Sequence, residues 1–301
     1  MGGRQIMAIY VTGDTHGSKR LSYFGVDGFM PRFSTAAFPK QRDLTKDDYV
    51  VICGDFGGVW SHMGETKEEK YNLDWLEAKP FTTLFVPGNH ENYDRLTGIP
   101  DEKLLNCWIY KNCTEDEKNQ IRTGYPQKLW HGGMVRELRP SVLMLERGYV
   151  FDICGVKCFA FGGARSHDIQ HGILKAEEFP DKKSADKEYD IWSRTKTLFR
   201  VNHISWWEQE MPNQMEMERG WAMLEDEKYK VDFIFSHDCP SSDIPFILHG
   251  KDTEINELNK YFEEIKRKVD YQKWMCGHYH DNMQLPGGKD LLLYEQIIRI
   301  V

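Results

Sequence analysis

Several features that would assign this chain to a particular class of protein are missing from its sequence. The 301 residues include seven cysteines, an odd number, and no Cys-x-x-Cys pair occurs among them. Neither a disulfide framework nor a zinc ribbon is therefore indicated, and we expect reduced thiols. Cations are also in the minority, since 39 Lys and Arg against 47 Asp and Glu give a net charge of −8. A broad basic surface for DNA or RNA is not expected from this balance.

Long apolar segments are absent as well. No stretch of the sequence has the length and apolarity needed to span a bilayer. The stretch Met1 to Tyr10 lacks the apolar region and cleavage site of a signal peptide, so we expect a cytoplasmic protein without membrane association. The hydrophobic fraction of 40% suffices for a globular core. Because one core reaches its upper limit at roughly 250–300 residues, we predict a single domain over residues 1–301.

Five short polar motifs stand out, and each follows a short apolar run. In chain order they are Gly13-Asp14-Thr15-His16-Gly17, Gly54-Asp55-Phe56-Gly57-Gly58, Gly88-Asn89-His90-Glu91, Ser236-His237-Asp238 and Gly277-His278-Tyr279-His280. The runs that precede them are Met7 to Val11, Tyr49 to Cys53, Leu84 to Val86, Phe233 to Phe235 and Trp274 to Cys276. Such runs are typical of buried strands. Because ligand residues in open α/β sheets gather beyond the carboxyl ends of the strands, we expect the motifs to converge.

The polar residues of the motifs are metal-ligand types. Carboxylate, imidazole and amide oxygen together suit a pair of divalent transition metals. Residues two apart in an extended segment point to the same side. Asp14 and His16 can therefore share one metal, and His278 and His280 can face the same pocket.

Residues 98–128 are predicted to be an insertion after the third motif. The segment contains loop breakers, a polar run and an apolar patch from Leu104 to Tyr110. A plain surface excursion would not need this patch, whereas a flap over a pocket mouth would. We therefore hypothesise that the segment borders the cleft, since loops longer than about 12–15 residues are often lids or binding elements. Docking on the back of the domain is the alternative.

Local patterns predict further elements elsewhere. These are a helix opened by the capping box Thr66-x-x-Glu69, a hairpin turn at Cys154-Gly155, a helix opened by Ser205-x-x-Glu208, and a final strand from Leu291 to Val301. A stripe at helical spacing predicts a helix face directed into the core, and it consists of Ile255, Leu258, Phe262, Ile265 and Val269.

Taken together, the five motifs resemble the pattern of the calcineurin-like metallophosphoesterase family. That pattern runs Asp-x-His, Gly-Asp, Gly-Asn-His-Asp/Glu, a lone His and Gly-His-x-His, and here it extends in order from Asp14 to His280. The resemblance implies an α/β fold with two packed mixed β-sheets flanked by helices. It also implies hydrolysis of a phosphate monoester or a small phosphodiester, by a hydroxide held between two divalent metals. A small phosphoester would then be the substrate.

The resemblance also implies a role for each motif residue. Asp14, His16 and His280 would hold the first metal, Asn89, His237 and His278 the second, and Asp55 would bridge the two. His90 would contact the phosphoryl oxygen and protonate the leaving group. Manganese, iron and zinc all suit the donor set.

Outside the ligand motifs, Arg165 lies in the glycine-bounded loop that begins Gly162-Gly163. An arginine there could bind a substrate phosphate in a bidentate manner. The alternative is a solvated loop residue.

One position departs from the family pattern. In many members a carboxylate three residues after the bridging aspartate orients the catalytic histidine, whereas this chain has Gly58 there, followed by Val59. The departure argues against the Ser/Thr protein phosphatase branch, and it leaves Glu91 and Asp94 as candidates for orienting His90.

Two rival functions follow from the same residues. A metal-dependent nuclease is one, and the acidic balance of the chain weighs against it. A metal-bound scaffold without catalysis is the other, and the complete set of motif residues weighs against that.

Overall fold

The computed structural model describes residues 7–17, 28–251 and 254–301. The expectation for Met1 to Tyr10 therefore falls largely on residues 1–6, outside the described part of the chain. The strands are β1 (Ile9–Thr12), β2 (Tyr49–Cys53), β3 (Thr82–Val86), β4 (Gln127–Trp130), β5 (Gly133–Arg139), β6 (Val142–Leu145), β7 (Tyr149–Ile153), β8 (Val156–Phe161), β9 (Ile173–Leu174), β10 (Arg200–Val201), β11 (Phe233–Ser236), β12 (Lys273–Cys276), β13 (Met283–Gln284), β14 (Asp290–Leu292) and β15 (Ile298–Arg299).

The α-helices of the described residues are mostly short. They are α1 (Phe29–Arg32), α2 (Lys67–Glu77), α3 (Tyr93–Thr97), α4 (Glu102–Leu105), α5 (Glu115–Thr123), α6 (Lys182–Thr195), α7 (Gln214–Asp226), α8 (Ile244–Ile247) and α9 (Glu257–Lys268). Single turns of 3₁₀-helix occur at Pro39–Asp43, Ala176–Glu178 and Glu208–Glu210. None of the helices in the described ranges is long and apolar enough to cross a membrane.

Two mixed sheets form the body of the protein. The first has the strand order β15-β1-β2-β3-β6-β5-β4, and β1, β2, β3 and β6 are parallel. The second has the order β13-β14-β12-β11-β8-β7, and β14, β12, β11 and β8 are parallel. In both sheets the remaining pairings are antiparallel. The expected pair of mixed sheets flanked by helices is confirmed.

The hydrophobic core has three layers. Between the sheets, Val11 and Val51 of the first share one cluster with Ala160, Phe235 and Met275 of the second. Helix α2 covers the outer face of the first sheet, and α9 covers that of the second. Strands β1 and β2 are buried along their whole length, and their sequences accordingly do not alternate between apolar and polar residues.

Most of the predicted local elements are present. All five apolar runs before the motifs lie in strands, namely β1, β2, β3, β11 and β12. Thr66 and Glu69 form the predicted capping box of α2. Cys154 and Gly155, with φ of 56° and 77°, make the turn between β7 and β8, as type I′ hairpins require. The predicted core stripe of α9 is also buried, except for the partly exposed Ile255.

Two local predictions are wrong. Ser205-x-x-Glu208 does not open a helix, because the Ser205 hydroxyl accepts the backbone N–H of Val201 instead. Pro212 disfavours a helical conformation at the residue before it, so the next helix begins at Gln214 with Asn213 as its cap. The tail does not form one strand either. It supplies β14 to the second sheet, crosses over, and supplies β15 to the first.

A smaller apolar cluster lies beside the two sheets, and we call the residues that form it, 98–123 and 169–206, the side module. The apolar patch of the first segment is buried here, with Leu105, Ile109 and Tyr110 in one cluster with Leu174 and Val201 of the second. The patch therefore has a partner segment far along the chain, which the sequence pattern did not identify.

Candidate metal centre

The five motifs lie at the carboxyl ends of parallel strands, as the sequence predicted. In three of the motifs, however, the backbone is not extended at the ligand residues. The φ angles of His16, Asp55, His278 and His280 are 42°, 42°, 73° and 52°, which lie in the left-handed region. The prediction that an extended backbone directs Asp14 and His16, and likewise His278 and His280, to the same side is therefore wrong. The structure still brings these residues together. Left-handed residues other than glycine are uncommon and cluster at functional sites.

Four of the predicted ligands form a compact group. Asp14, His16, Asp55 and His280 each offer one ligand atom, and these atoms all lie within 4.8 Å of one another. Asp55 Oδ2 is 3.2 Å from His16 Nε2, and Asp14 Oδ2 is 3.1 Å from His280 Nε2. The first three side chains are buried and His280 is partly exposed. Two carboxylates and two imidazoles in this arrangement fit a divalent cation.

The other three predicted ligands form a second group, which meets the first at the Oδ1 atom of Asp55. His237 Nε2 is 3.2 Å from Asp55 Oδ1 and 3.2 Å from Asn89 Oδ1. The ring of His278 packs edge-on against that of His237, with centroids 4.9 Å apart. His278 Nε2 is buried without a hydrogen-bond partner among the described residues, so its ring has a nitrogen available to a cation. This donor set also fits a divalent metal.

Backbone groups fix several of these side chains. The backbone N–H of His278 donates to both carboxylate oxygens of Asp14, at 3.0 and 3.2 Å, and that of His90 donates to Asp55 Oδ1 at 2.8 Å. His237 Nδ1 is 2.9 Å from the carbonyl oxygen of Cys53. When Nδ1–H donates to that carbonyl, Nε2 is directed towards the ligand group, which is the usual way in which metal-binding histidines are oriented.

The buried carboxylates of Asp14 and Asp55 favour positive charge in their neighbourhood. Burial disfavours ionisation of Asp55, but His237, His90 and His16 outweigh it and hold the pKa of this carboxyl well below its usual range. Burial likewise disfavours a charged His237, yet Asp55 and Asp14 raise its pKa to about 9. A buried charge is costly unless it is paired. Divalent cations at this position would satisfy the same carboxylates.

His90 is next to the group but is held differently. Its ring meets that of His16 edge-on at 5.4 Å and is tilted against Trp60 at 5.9 Å. Nδ1 is buried with no hydrogen-bond partner in the described part of the chain. Burial lowers the pKa of His90 to about 4. The His90 ring is thus positioned by neighbouring rings and not by a carboxylate.

Neither carboxylate that the sequence offered as a partner contacts the His90 ring. Glu91 accepts the backbone N–H groups of Phe56 and Gly57, at 2.6 and 3.3 Å, and so supports the loop that carries Asp55. Asp94 Oδ2 accepts Tyr110 Oη at 2.6 Å, His203 Nδ1 at 2.9 Å and Trp207 Nε1 at 2.7 Å. The side chain of Asp94 therefore joins the side module to the helix that follows the third motif.

The loop after β8 contributes residues that the sequence reasoning missed. Ser166 Oγ is 3.3 Å from Asn89 Nδ2, and the ring of His167 is stacked on that of His278 with centroids 4.5 Å apart. Arg165, which the sequence singled out, is exposed and pairs with Glu254 at 3.0 Å. It lines a surface cavity of about 250 Å³ together with His167 and others. The available signal was the position of the loop after a predicted strand, like the ligand motifs.

The chain matches the family model described as calcineurin-like phosphoesterase over residues 7–282, a range that includes all five motifs. No curated protein sequence gives a significant match. Among solved structures, the chain is similar to a phosphopantetheinyl hydrolase from Mycobacterium tuberculosis, at 14% identity and a TM-score of 0.34. That alignment covers 95% of this chain and 88% of the other.

Proposed function

Because the chain belongs to the calcineurin-like phosphoesterase family, we propose that it hydrolyses a phosphate monoester or a small phosphodiester with two divalent metals. The observation that supports this most directly is the position of Asp55. One of its carboxylate oxygens faces His16 and the other faces His237. A carboxylate placed in this way between two donor groups is suited to bridge two cations.

The proposal divides the seven ligands between the two metals. Asp14, His16 and His280 would hold the first, Asn89, His237 and His278 would hold the second, and Asp55 would contribute to both. When bound, such metals lower the pKa of water towards about 7 and polarise the phosphoryl oxygen, so no protein nucleophile is needed. Manganese, iron and zinc all accept this mixture of carboxylate, imidazole and amide donors.

We assign His90 to the phosphoryl oxygen and the leaving group. Its imidazole lies beside His16 without belonging to either donor group, and no carboxylate holds its Nδ1. A substrate phosphate bound at the metals would therefore contact the His90 ring on the side of His16. Positioned acid–base groups of this kind contribute about 10²–10⁴-fold to a rate.

Arg165 is proposed to contact the substrate phosphate from the loop that follows β8. It precedes Ser166, which contacts the ligand Asn89, and its guanidinium is exposed beside Glu254. Arg165→Ala should raise KM or lower the rate with both metals retained. If Arg165→Ala had wild-type kinetics on the natural substrate, Arg165 would not be part of the site.

The partner and compartment follow from charge and cysteine chemistry. With a net charge of −8, a small phosphoester suits the site better than nucleic acid does. All seven cysteines lie in the described ranges and none of them forms a disulfide. Reduced thiols are typical of the cytoplasm, and we place the protein there.

The test is hydrolysis of chromogenic esters by metal-free protein reloaded with manganese, iron or zinc. Nitrophenyl phosphate reports monoesterase activity and bis-nitrophenyl phosphate reports diesterase activity. Asp55→Asn should lose turnover and metal, since the bridging carboxylate is removed. Asp48→Asn is the matched control, because Asp48 is also buried, and among the described residues its side chain accepts hydrogen bonds from Ala8 and Thr45 and from no predicted ligand. No turnover of either ester by protein that holds two metals would refute the proposal.

A further inference from the structure

A buried chain of hydrogen bonds runs from Glu210 through Ser166 to the side-chain amide of Asn89. Glu210 Oε1 accepts the backbone N–H of Ser166 at 2.8 Å, and Oε2 accepts the Ser166 hydroxyl at 2.6 Å. Ser166 Oγ in turn accepts Asn89 Nδ2 at 3.3 Å. The exposed fractions of Glu210, Ser166 and Asn89 are only 1%, 5% and 6%. Water therefore cannot easily replace these partners.

The direction of this chain matters because the two ends of an amide differ chemically. Oδ1 of an asparagine can bind a cation, whereas Nδ2 carries two protons and cannot. The two ends have nearly the same shape, so packing alone does not choose between them. Hydrogen bonding must therefore decide which end faces the metal position.

Ser166 can make that choice because Glu210 occupies its only hydroxyl proton. A hydrogen bond from a hydroxyl to a carboxylate is short and strong, which matches the 2.6 Å between Ser166 Oγ and Glu210 Oε2. The Ser166 oxygen then has only lone pairs left for Asn89, and it selects the Nδ2 end. Asn89 Oδ1 is consequently directed to the other side, 3.2 Å from His237 Nε2.

We propose that Ser166 and Glu210 are positioning residues that hold the Asn89 amide with its oxygen towards the second metal. The inference rests on the proposed function, because it takes Asn89 and His237 as ligands of the same metal. Neither Ser166 nor Glu210 is one of the seven proposed ligands, and Ser166 reaches that set through the Asn89 amide. Their effect should therefore be confined to the metal that Asn89 holds.

The chain offers a matched control at the opposite end of the first sheet. Ser141 precedes β6 and donates both its backbone N–H and its hydroxyl to Glu77, at 2.8 and 2.7 Å. Its Oγ accepts the ammonium of Lys46 and no metal ligand. Ser141→Ala thus removes the same kind of serine–glutamate contact without reaching Asn89.

The first experiment is a calorimetric titration of metal-free protein with Mn²⁺. Wild type should bind two ions. In Ser166→Ala one site should keep its affinity and the other should weaken by about 10–100-fold, the usual effect of losing a group that orients a ligand. Glu210→Gln should weaken the same site, because the two Ser166 donors bind different carboxylate oxygens and the NH2 group that replaces one of them cannot accept a hydrogen bond. Ser166→Thr keeps the hydroxyl and should restore binding, and Ser141→Ala should match wild type.

A second experiment needs no metal. In protein labelled with ¹⁵N-asparagine, the Asn89 side-chain amide protons should exchange slowly with water in wild type and faster in Ser166→Ala. Thermal unfolding checks that each variant is folded. If Ser166→Ala does not fold, both experiments are carried out on Glu210→Gln.

The outcomes separate this inference from the proposed function. Unchanged amide exchange, or unchanged affinity at both sites in the Ser166 and Glu210 variants, would overturn the positioning role. Equal weakening by Ser141→Ala would overturn it as well, since the effect would then be a general loss of stability. Binding of fewer than two ions by wild type would instead count against the two-metal function, and amide exchange would still decide the role of Ser166.

Discussion

His90 shows how a single ring can be held without a carboxylate. Trp60 covers it on one side and His16 meets it edge-on, while its Nδ1 is buried without a partner among the described residues. Gly58 stands where related sequences often carry the orienting acid. The orientation of the imidazole therefore depends on the packing of Trp60, which in turn rests edge-on against the fully buried Trp207 at 5.4 Å.

We expect His90→Ala to keep both metals and to lose most turnover. The ring is not among the proposed ligands, and removal of an acid–base group typically costs about 10²–10⁴-fold. Metal analysis and kcat on an ester with a poor leaving group should be measured on the same preparation. Retained activity on such an ester would contradict the assignment.

Trp60→Ala should lower kcat without changing metal content. A small displacement of a reacting group can cost about 10²-fold, and the loss of Trp60 frees the His90 ring to move. The kcat of Trp60→Phe should lie between those of Trp60→Ala and wild type, because part of the aromatic contact with His90 remains. The control is Trp130→Ala, since Trp130 is also half-buried but contacts Tyr49 and His131 instead. If Trp60→Ala had wild-type kcat, the aromatic contact would not position His90.

At this scale the sequence identified the residues of the motifs but not their supports. The geometry brings together the seven predicted ligands, although their individual metal assignments stay a proposal. Ser166, Trp60 and Glu210 carry no local pattern, because each acts through a contact distant in sequence, such as that between Asn89 and Ser166, which are 77 positions apart. Pairings of this kind depend on the tertiary fold.

At the scale of elements, Asp94 is the point at which the side module meets the site. Its Oδ2 accepts donors from Tyr110 of the first segment, His203 of the second and Trp207 just beyond it. Asp94 itself lies in α3, directly after the third motif. This arrangement supports the hypothesis that residues 98–128 border the cleft, which stays a prediction.

Docking of the side module should depend on pH through His203. Burial disfavours its charged form, but the hydrogen bond and charge of Asp94, with Glu177 and Glu208, outweigh burial and raise the pKa of His203 above its usual range. The resulting stabilisation is complete below the unfolded pKa of about 6.5 and is lost as pH rises through the folded pKa. The Tm difference between wild type and His203→Gln should therefore be larger at low pH than at high pH. A difference that does not vary with pH would contradict this.

The elements that could be predicted are those with a local cause. Strands buried on both faces are largely apolar, capping boxes satisfy helix N–H groups, and the turn at Cys154-Gly155 fits its φ angles. The prediction of one strand for the tail was wrong because a single apolar stretch supplies strands to two sheets. The chain crosses between the sheets at Tyr294, whose carbonyl oxygen accepts Gly13 N–H at 3.1 Å. Local pattern could not reveal that partner.

At the scale of the whole molecule, the candidate site joins the two sheets. Asp14, Asp55 and Asn89 follow strands of the first sheet, whereas His237 and His278 follow strands of the second. Metals bound here would cross-link the sheets at one edge. This supports the prediction that residues 1–301 form one domain, which likewise stays a prediction.

Metal removal should therefore lower the Tm of the protein. A ligand that binds only the folded state adds about 4 kcal/mol to the free energy of unfolding when its concentration is 1,000 times Kd. Treatment with a chelator should shift the thermal transition downward, and added Mn²⁺ should restore it. His278→Ala should show a smaller shift because one ligand is missing. Identical transitions with and without metal would contradict this expectation.

The acidic balance gives a test of the nuclease alternative. Binding to nucleic acid rests largely on cations that neutralise phosphates, and its affinity falls steeply with salt. We expect no mobility shift of a DNA or RNA duplex at about 0.1 M salt, in contrast with turnover of small esters. A salt-dependent shift accompanied by strand cleavage would favour the nuclease.

The pairing of β1 with β15 has a consequence for the order in which the protein can fold. Tyr10 pairs with Arg299 and Val11 with Ile298, so β1 cannot form this pairing until β15, near the other end of the sequence, has been made. During synthesis at about 5–20 residues per second, that partner leaves the ribosome on the order of tens of seconds later. Until then one edge of β1 is open to unwanted pairing. His280 likewise follows Asp14 by most of the sequence, so the candidate metal site can be completed only after nearly all of the chain has emerged.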